Sequence, residues 1–534
     1  MGSGDAWPGH GAMFGAAPAV EILSSDGGVV QTPPRRRRTS LIAGIAALAV
    51  LAAGGAGYAA FSALNGGGSQ PEDVLPSSTI AFVKVDLDPS AGQKLELYKL
   101  LQKFPQSAQL HASDTDFGDW LVRRLVESGS GATALSYATD VKPWLGKRFA
   151  VAAVPGTTGA GSVDAVIVLQ ESDDKAAAAA LAKIKHASGS GAFDYAFADG
   201  YVVVAPGSAD AAHRAVAAAA TSPLAKDQQF VSDVATLRSD EVVTGWADAA
   251  KVGALFKKQL AAATAAGGST GALGVLGGAG GGLGGLGGLG SLIDNSYHGR
   301  LVLGLHAADG AIELQAESLG GKPSPAVPAV RGLDHTASDA VGVVAISGVD
   351  TRLDAEWKQL SAIGLYQNLF TQLHRSMGLD LPGDLKTLLG SELDVSVGGD
   401  LGQSPTFVAA ATTGDPAAAK AVLDKILKGS GAPQGVVGER ATGDVFYVGS
   451  TQSAVDAAGS THVISQDPLF GQAVGDPNGA QLVGFVDLTK VWAAVGASAL
   501  STPSQKEAEH LAAVGFTAQQ DGSSSSFTLR VVLR

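Results

Sequence analysis

The sequence predicts an α+β protein: one N-terminal transmembrane helix followed by two tandem copies of an antiparallel sheet covered by helices. Three observations carry this expectation. A charge-free apolar stretch follows four consecutive arginines. A series of landmarks recurs in the same order about 242 residues further on. Each recurrence closes in two alternating strands around an Asp-Gly turn, the strongest short-range signal for a hairpin.

Residues 1–38 are rich in Gly, Pro, Ala and Ser, with one apolar knot at Ala19–Leu23, and read as a disordered cytoplasmic tail. The transmembrane helix is placed at 39–64. Its apolar part, Leu41 to Leu64, carries no charge and at 1.5 Å per residue is long enough to cross a hydrocarbon core of about 30 Å. Arg35, Arg36, Arg37 and Arg38 flank only its N-terminal end, and such flanks stay cytoplasmic, which puts the C-terminal bulk outside the cell membrane. A cleaved signal peptide is the competing reading, but the leader before the apolar core is long for one. Ala53 and Gly57 fit a small-xxx-small pattern through which two copies would pair, although a stretch so rich in Ala and Gly matches it readily by chance.

Beyond a linker at 65–74 the chain says one thing twice. Asp173, Leu181, Lys183 and Ile184 fall on Asp415, Leu423, Lys425 and Ile426. KDQQF ending at Phe230 falls on QDPLF ending at Phe470, GWADAAKV from Gly245 on GFVDLTKV from Gly484, and WLGKRFAVAAV from Trp144 on LLGSELDVSV from Leu388. The first α+β repeat is expected at 75–320 and the second at 333–534, with a linker at 321–332. Each reads as an opening strand, helices, a strand pair, a helix, one further strand, two helices, a strand and a closing hairpin. The first hairpin alternates Ile312, Leu314 and Ala316 with Glu313, Gln315 and Glu317 around Asp309-Gly310, and the second turns at Asp521-Gly522. The first repeat alone carries a charge-free Gly/Leu-rich insertion, 267–290.

Composition narrows the chemistry. The chain of 534 residues has no cysteine, which excludes disulfides and thiolate ligands or nucleophiles. Of the 50 acidic residues only Asp5, Glu21 and Asp26 precede the apolar stretch, so the exterior part is acidic and unsuited to nucleic acid. Asp173 stands where a strand gives way to a helix, and its counterpart Asp415 precedes a proline suited to the first helical position. Asp227 with Asp467, and Asp248 with Asp487, stand at the same kind of junction, so all six read as structural helix caps rather than as acid/base groups. Ser172 and Lys175 match a Ser-x-x-Lys motif whose counterpart is Gly414, without companion motifs. The G-x-S-x-G at Gly267–Gly271 and the G-x-G-x-x-G at Gly282–Gly287 lie inside the Gly/Leu run and lack the strand before and helix after that their chemistry needs. The stretch from Asp114 to Asp119 lacks the glycine position and closing glutamate of a calcium loop. His306 reads as a solvated surface histidine on the polar face of its strand. No catalytic, metal or cofactor residues are expected.

The opening PEDVLPSSTIAFVKVDLDPS, the single-span topology, the L-G-x-x-F/L strand and the KDQQF landmark resemble a family of single-pass envelope proteins of high-GC Gram-positive bacteria, known only as a domain of unknown function. The resemblance implies an extracytoplasmic α+β fold and supplies no catalytic residue. The expectation is a membrane-anchored, non-catalytic module that holds an envelope protein partner or senses the exterior. A sheet covered by helices also opens pockets between its layers, so a binder or carrier of a lipid or other apolar ligand is the second class.

The second repeat does without the Gly/Leu run, so the fold should as well. Deleting 267–290 should shift the melting temperature by less than about 4 °C, the change that ~1 kcal/mol makes in a domain of this size. A larger shift in a thermal melt would make the run structural.

Overall fold

The computed structural model describes residues 69–101, 103, 136–157, 162–188, 193–238, 241–252, 299–331, 333–361, 364–433, 435–459, 462–495 and 509–534. In the first half the strands are β1 (Ala81–Asp86), β2 (Leu145–Pro155), β3 (Val163–Glu171), β4 (Phe193–Ala198), β5 (Tyr201–Pro206), β6 (Val243–Asp248), β7 (Arg300–Ala308) and β8 (Ala311–Leu319). The second half supplies β9 (Gly342–Ser347), β10 (Glu392–Asp400), β11 (Ser404–Thr412), β12 (Gly438–Thr442), β13 (Val445–Gly449), β14 (Leu482–Asp487), β15 (Leu511–Asp521) and β16 (Ser524–Leu533).

These strands form one antiparallel sheet of 16, in the order β12-β13-β11-β10-β9-β14-β15-β16-β8-β7-β6-β1-β2-β3-β5-β4. Each half has the same internal order, and β1 and β9 occupy equivalent places. The expectation of two separate sheets is therefore corrected. The closing hairpins pair with each other, from Ser525 opposite Ser318 to Val532 opposite Ala311, and fuse the halves. The expectation of a transmembrane helix is corrected as well: among the described residues no helix is long and apolar enough to cross a membrane. The segment 39–64 itself, with Arg35 to Arg38, Leu41 and Leu64, lies outside the described residues, as does the run 267–290.

Each half buries an aromatic cluster on the same face of the sheet, here the front. In the first, Phe230 meets Phe82 and Trp246 edge-on at 5.7 and 5.5 Å; in the second, Phe470 meets Phe485 at 5.3 Å. Phe230 and Phe470 sit on the helices Gln228–Val234 and Pro468–Val474, which explains why the KDQQF and QDPLF landmarks recur. The second helix lies so close that a Cβ on Gly515 would come within 2.4 Å of the Ala473 carbonyl oxygen, so β15 needs a glycine there.

A buried charge stands beside each cluster, with its sign reversed between the halves. Lys84 on β1 faces Ala150 on β2, whereas Ala345 on β9 faces Asp394 on β10. The segment leading into the first half covers Lys84 with Glu72 at 3.0 Å and Gln70 at 3.2 Å. Its counterpart in the second half brings Arg331 to within 3.5 Å of Glu392, beside Asp394 on the same strand face. Burial pushes the Lys84 ammonium below its ordinary value against the pull of Glu72, and pushes the Asp394 carboxyl up to about 7.

The front of the seam is polar. His306, expected as a solvated surface residue, is 5% exposed and lies between Glu241 at 3.0 Å and Glu313 at 3.6 Å. Arg530 reaches Glu313 across the join at 3.5 Å, and Arg238 approaches the same carboxylate at 3.8 Å. Alternation put His306 on the polar face correctly, but the loop carrying Glu241 covers that face. Burial pushes the Glu241 carboxyl up to about 7 against the pull of His306. A carboxyl whose folded pKa is raised stabilises the fold fully below its unfolded pKa and loses that contribution as pH rises through the folded value. From pH 5 to pH 8 the Glu241 contribution should therefore fall, by at most about 3 kcal/mol. Urea titrations of wild type and Glu241→Gln should show the variant losing less stability over that interval; parallel pH profiles would refute the assignment.

Candidate functional site

A sheet of 16 strands has only two free edges, and they are built differently. β4 and β5 are joined by Asp199-Gly200, both at positive φ (46° and 78°), the backbone of a two-residue hairpin turn. Ala198 opposite Tyr201 closes the hairpin, so the hydrogen-bonded pairs on β5 belong to Ala198, Ala196 and Asp194. The N–H and C=O groups of Phe193, Tyr195 and Phe197 point outward instead. Among the described residues nothing pairs with them.

β12 obeys the same alternation. Its turn lies between Thr442 and Val445, so the Glu439 backbone points outward. There the Gln452 side chain closes the edge: its Oε1 accepts from the Glu439 N–H at 3.2 Å and its Nε2 donates to the Glu439 carbonyl at 3.3 Å. Lys420 holds the Glu439 carboxylate at 2.6 Å. One edge is thus closed at Glu439 by an amide that imitates a neighbouring strand, leaving Ala441 outward beyond it, whereas among the described residues nothing closes the other at any of its three outward positions.

Two helices straddle the open edge. The helix Asp174–Ser188 packs on the back of the sheet, with Ala177, Leu181 and Ile184 against Phe193, Tyr195 and Phe197. The helix Ala211–Thr221 packs on the front, held by Asp194, whose carboxylate accepts from the Ala212 and His213 amides at 3.1 and 3.2 Å and lies 3.0 Å from His213 Nδ1. Burial would raise the Asp194 pKa, yet the His213 contacts hold it below the ordinary carboxylate value. Between the helices, along β4, runs a groove of about 580 Å³ lined by Lys185, Tyr195, Phe197, His213 and Val216. It continues past Phe197 into a hollow of about 650 Å³ with Glu171, Asp173, Asp174 and Asp199 on its wall.

The six aspartates read from the sequence all accept from helix N-terminal amides. Asp173 accepts from Lys175 and Ala176, Asp415 from Ala417 and Ala418, Asp227 from Phe230, Asp467 from Leu469, Asp248 from Lys251, and Asp487 from Thr489 and Lys490. Only Asp173 borders the groove. Ser172 donates to the Trp144 carbonyl at 3.2 Å. The stretch 114–119 lies outside the described residues. Among the described residues no three His, Asp or Glu side chains are grouped to hold a metal ion.

Where the sequence leads one to expect a single strand, each half has a hairpin, whose outer strands are β4 and β12. For β4 the signal was present: Phe193, Tyr195 and Phe197 alternate before Asp199-Gly200, the same pattern that marks the Asp309-Gly310 hairpin. Asp194 gave no local signal, because the helix it holds begins 17 positions later.

Residues 41–234 match a family model described as "Protein of unknown function (DUF3352)", so this stretch, which includes β4 and both straddling helices, carries a domain of unknown function. No curated protein and no solved structure matches the chain.

If Gln452 closes the second edge, Gln452→Ala should cost about 1 kcal/mol in urea unfolding and speed hydrogen exchange at the Glu439 amide. Unchanged exchange at Glu439 would show that the amide does not shield the edge.

Proposed function

We propose that the chain is an extracytoplasmic, non-catalytic module, tethered at the bacterial membrane by its N-terminal segment, that binds a protein partner by taking an extended segment of it as a further strand on β4. The observation that carries this reading is the contrast between the edges. A protein with no use for an open edge covers or charges it, because a free edge invites non-specific pairing. β12 is closed and charged in that way at Glu439; β4 presents outward backbone groups of three aromatic residues in a groove walled by two helices. Strand addition supplies affinity through main-chain hydrogen bonds and specificity through side-chain pockets on alternate positions. Support for the tether and the location is the pattern of Arg35 to Arg38 before the charge-free stretch from Leu41 to Leu64.

A carrier of apolar ligands is the second reading. It draws on the back of the second half, where Val344, Val395, Val486 and Phe407 are 38–51% exposed.

Hydrogen exchange in the presence of a synthetic alternating Thr/Val peptide tests the first reading. Binding should slow exchange at the Phe193, Tyr195 and Phe197 amides and leave Ala196, already paired to β5, unchanged. A peptide that binds without protecting those three amides would remove β4 as the site. Lipid retained by the protein in native mass spectrometry, with no peptide bound, would select the carrier.

A further inference from the structure

The groove along β4 differs in charge at its two ends, and this deepens the strand-addition reading on which it rests. β4 runs from Phe193 to Ala198. At its C-terminal end stand Glu171, Asp174 and Asp199; Asp173 is there too, but its carboxylate is engaged by two helix amides. Lys175 is the one base on that wall. Burial, with Asp174 and Asp173 adding to it, pushes the Glu171 carboxyl above its ordinary value. At the N-terminal end the Lys185 ammonium lies 5.8 Å from the Phe193 ring centre and 5.7 Å from that of Tyr195. Among the described residues it has no carboxylate partner. His213 stands on the opposite helix with its ring on Asp194, whose charge is already taken.

We infer that β4 accepts an extended segment running antiparallel to it, with Lys or Arg in its N-terminal part and a carboxylate at its C-terminal end. Every strand pairing in the sheet is antiparallel, and such pairing is slightly the more stable kind. An antiparallel guest begins at the C-terminal end of β4, over Asp199 and Glu171, and finishes beneath Lys185. Six residues of strand span about 20 Å, whereas charges in water are screened within about 8 Å at physiological salt. The two ends therefore act separately. The groove reads the order of charges along the guest rather than its net charge, and a guest of the same composition with the order reversed meets repulsion at both ends. Between the ends, Tyr195 and Phe197 on the back face favour β-branched or aromatic side chains at alternate positions of the guest.

The test uses the full chain and two peptides of identical composition, Lys-Lys-Thr-Val-Thr-Val-Glu-Glu and its reverse, with fluorescence anisotropy at two salt concentrations. The first should bind at least about tenfold more tightly at low salt, with the preference shrinking as salt rises. The variant Asp174→Lys with Lys185→Glu changes only exposed and half-buried side chains and should invert the preference. Equal binding of both peptides, with the Tyr195 amide still protected, would overturn the charge order and leave strand addition standing. Absence of binding by either would overturn both. Tighter binding of the reversed peptide would overturn the antiparallel assignment. A dimer in light scattering that Tyr195→Pro abolishes would assign the edge to a second copy of this chain and overturn the inference.

Discussion

The pairing of β8 with β16 is the contact on which the rest of the molecule depends. Two separate sheets have four free edges; joined through their closing hairpins, they have two. The join is a full ladder of eight residue pairs, from Ser525 and Ser318 to Val532 and Ala311. Its faces do different work. On the back, Phe516 and Phe527, 6.1 Å apart, pack with Ala316 and Leu303 from the other half, so apolar burial holds the hairpins together. On the front, His306, Glu313 and Arg530 line up across three adjacent strands. This polar row separates the two aromatic clusters on the front, while the apolar packing on the back runs across the join.

The reversed buried charge shows how far the halves have diverged without losing their geometry. A lone charge in a core is costly unless a partner is built beside it. Lys84 and Asp394 stand at neighbouring places on the same face, one strand apart; the leader of the first half pairs Lys84 with Glu72, whereas that of the second pairs Arg331 with Glu392 and leaves the Asp394 carboxyl to be held protonated by burial up to about pH 7. The two halves thus meet the same cost differently, one by an ion pair and the other by a carboxyl that burial keeps protonated, while the apolar surroundings are shared by both.

Legibility in the sequence followed the range of each interaction. Helix caps were readable at Asp173, Asp415 and their fellows because a cap bonds to amides two or three positions away. The hairpin at Asp309-Gly310 was readable because its turn and its alternation are local. His306 was misread because its burial comes from Glu241, 65 positions earlier. The fusion of the halves left no local trace, since a strand that pairs with its hairpin partner reads the same whether or not its other side is occupied. The segment 39–64 is where charge pattern speaks and the described residues do not.

The most informative omission was the pair of edge strands. β12, GERAT, has no apolar alternation, because an edge held by Gln452 and Lys420 relies on polar side chains. β4, FDYAFA, alternates strongly and belongs to a strand with something to pack against. Its aromatic side chains are covered on one face by the helix Asp174–Ser188, yet among the described residues nothing pairs with its outer backbone edge. A duplicated sheet needs only one solution to the edge problem, and applying it at both ends would cost nothing in fold. The chain instead closes Glu439 in the second half and sets β4 among aromatics, a lysine with no carboxylate partner among the described residues, and an acidic turn, a contrast that the fold itself does not require.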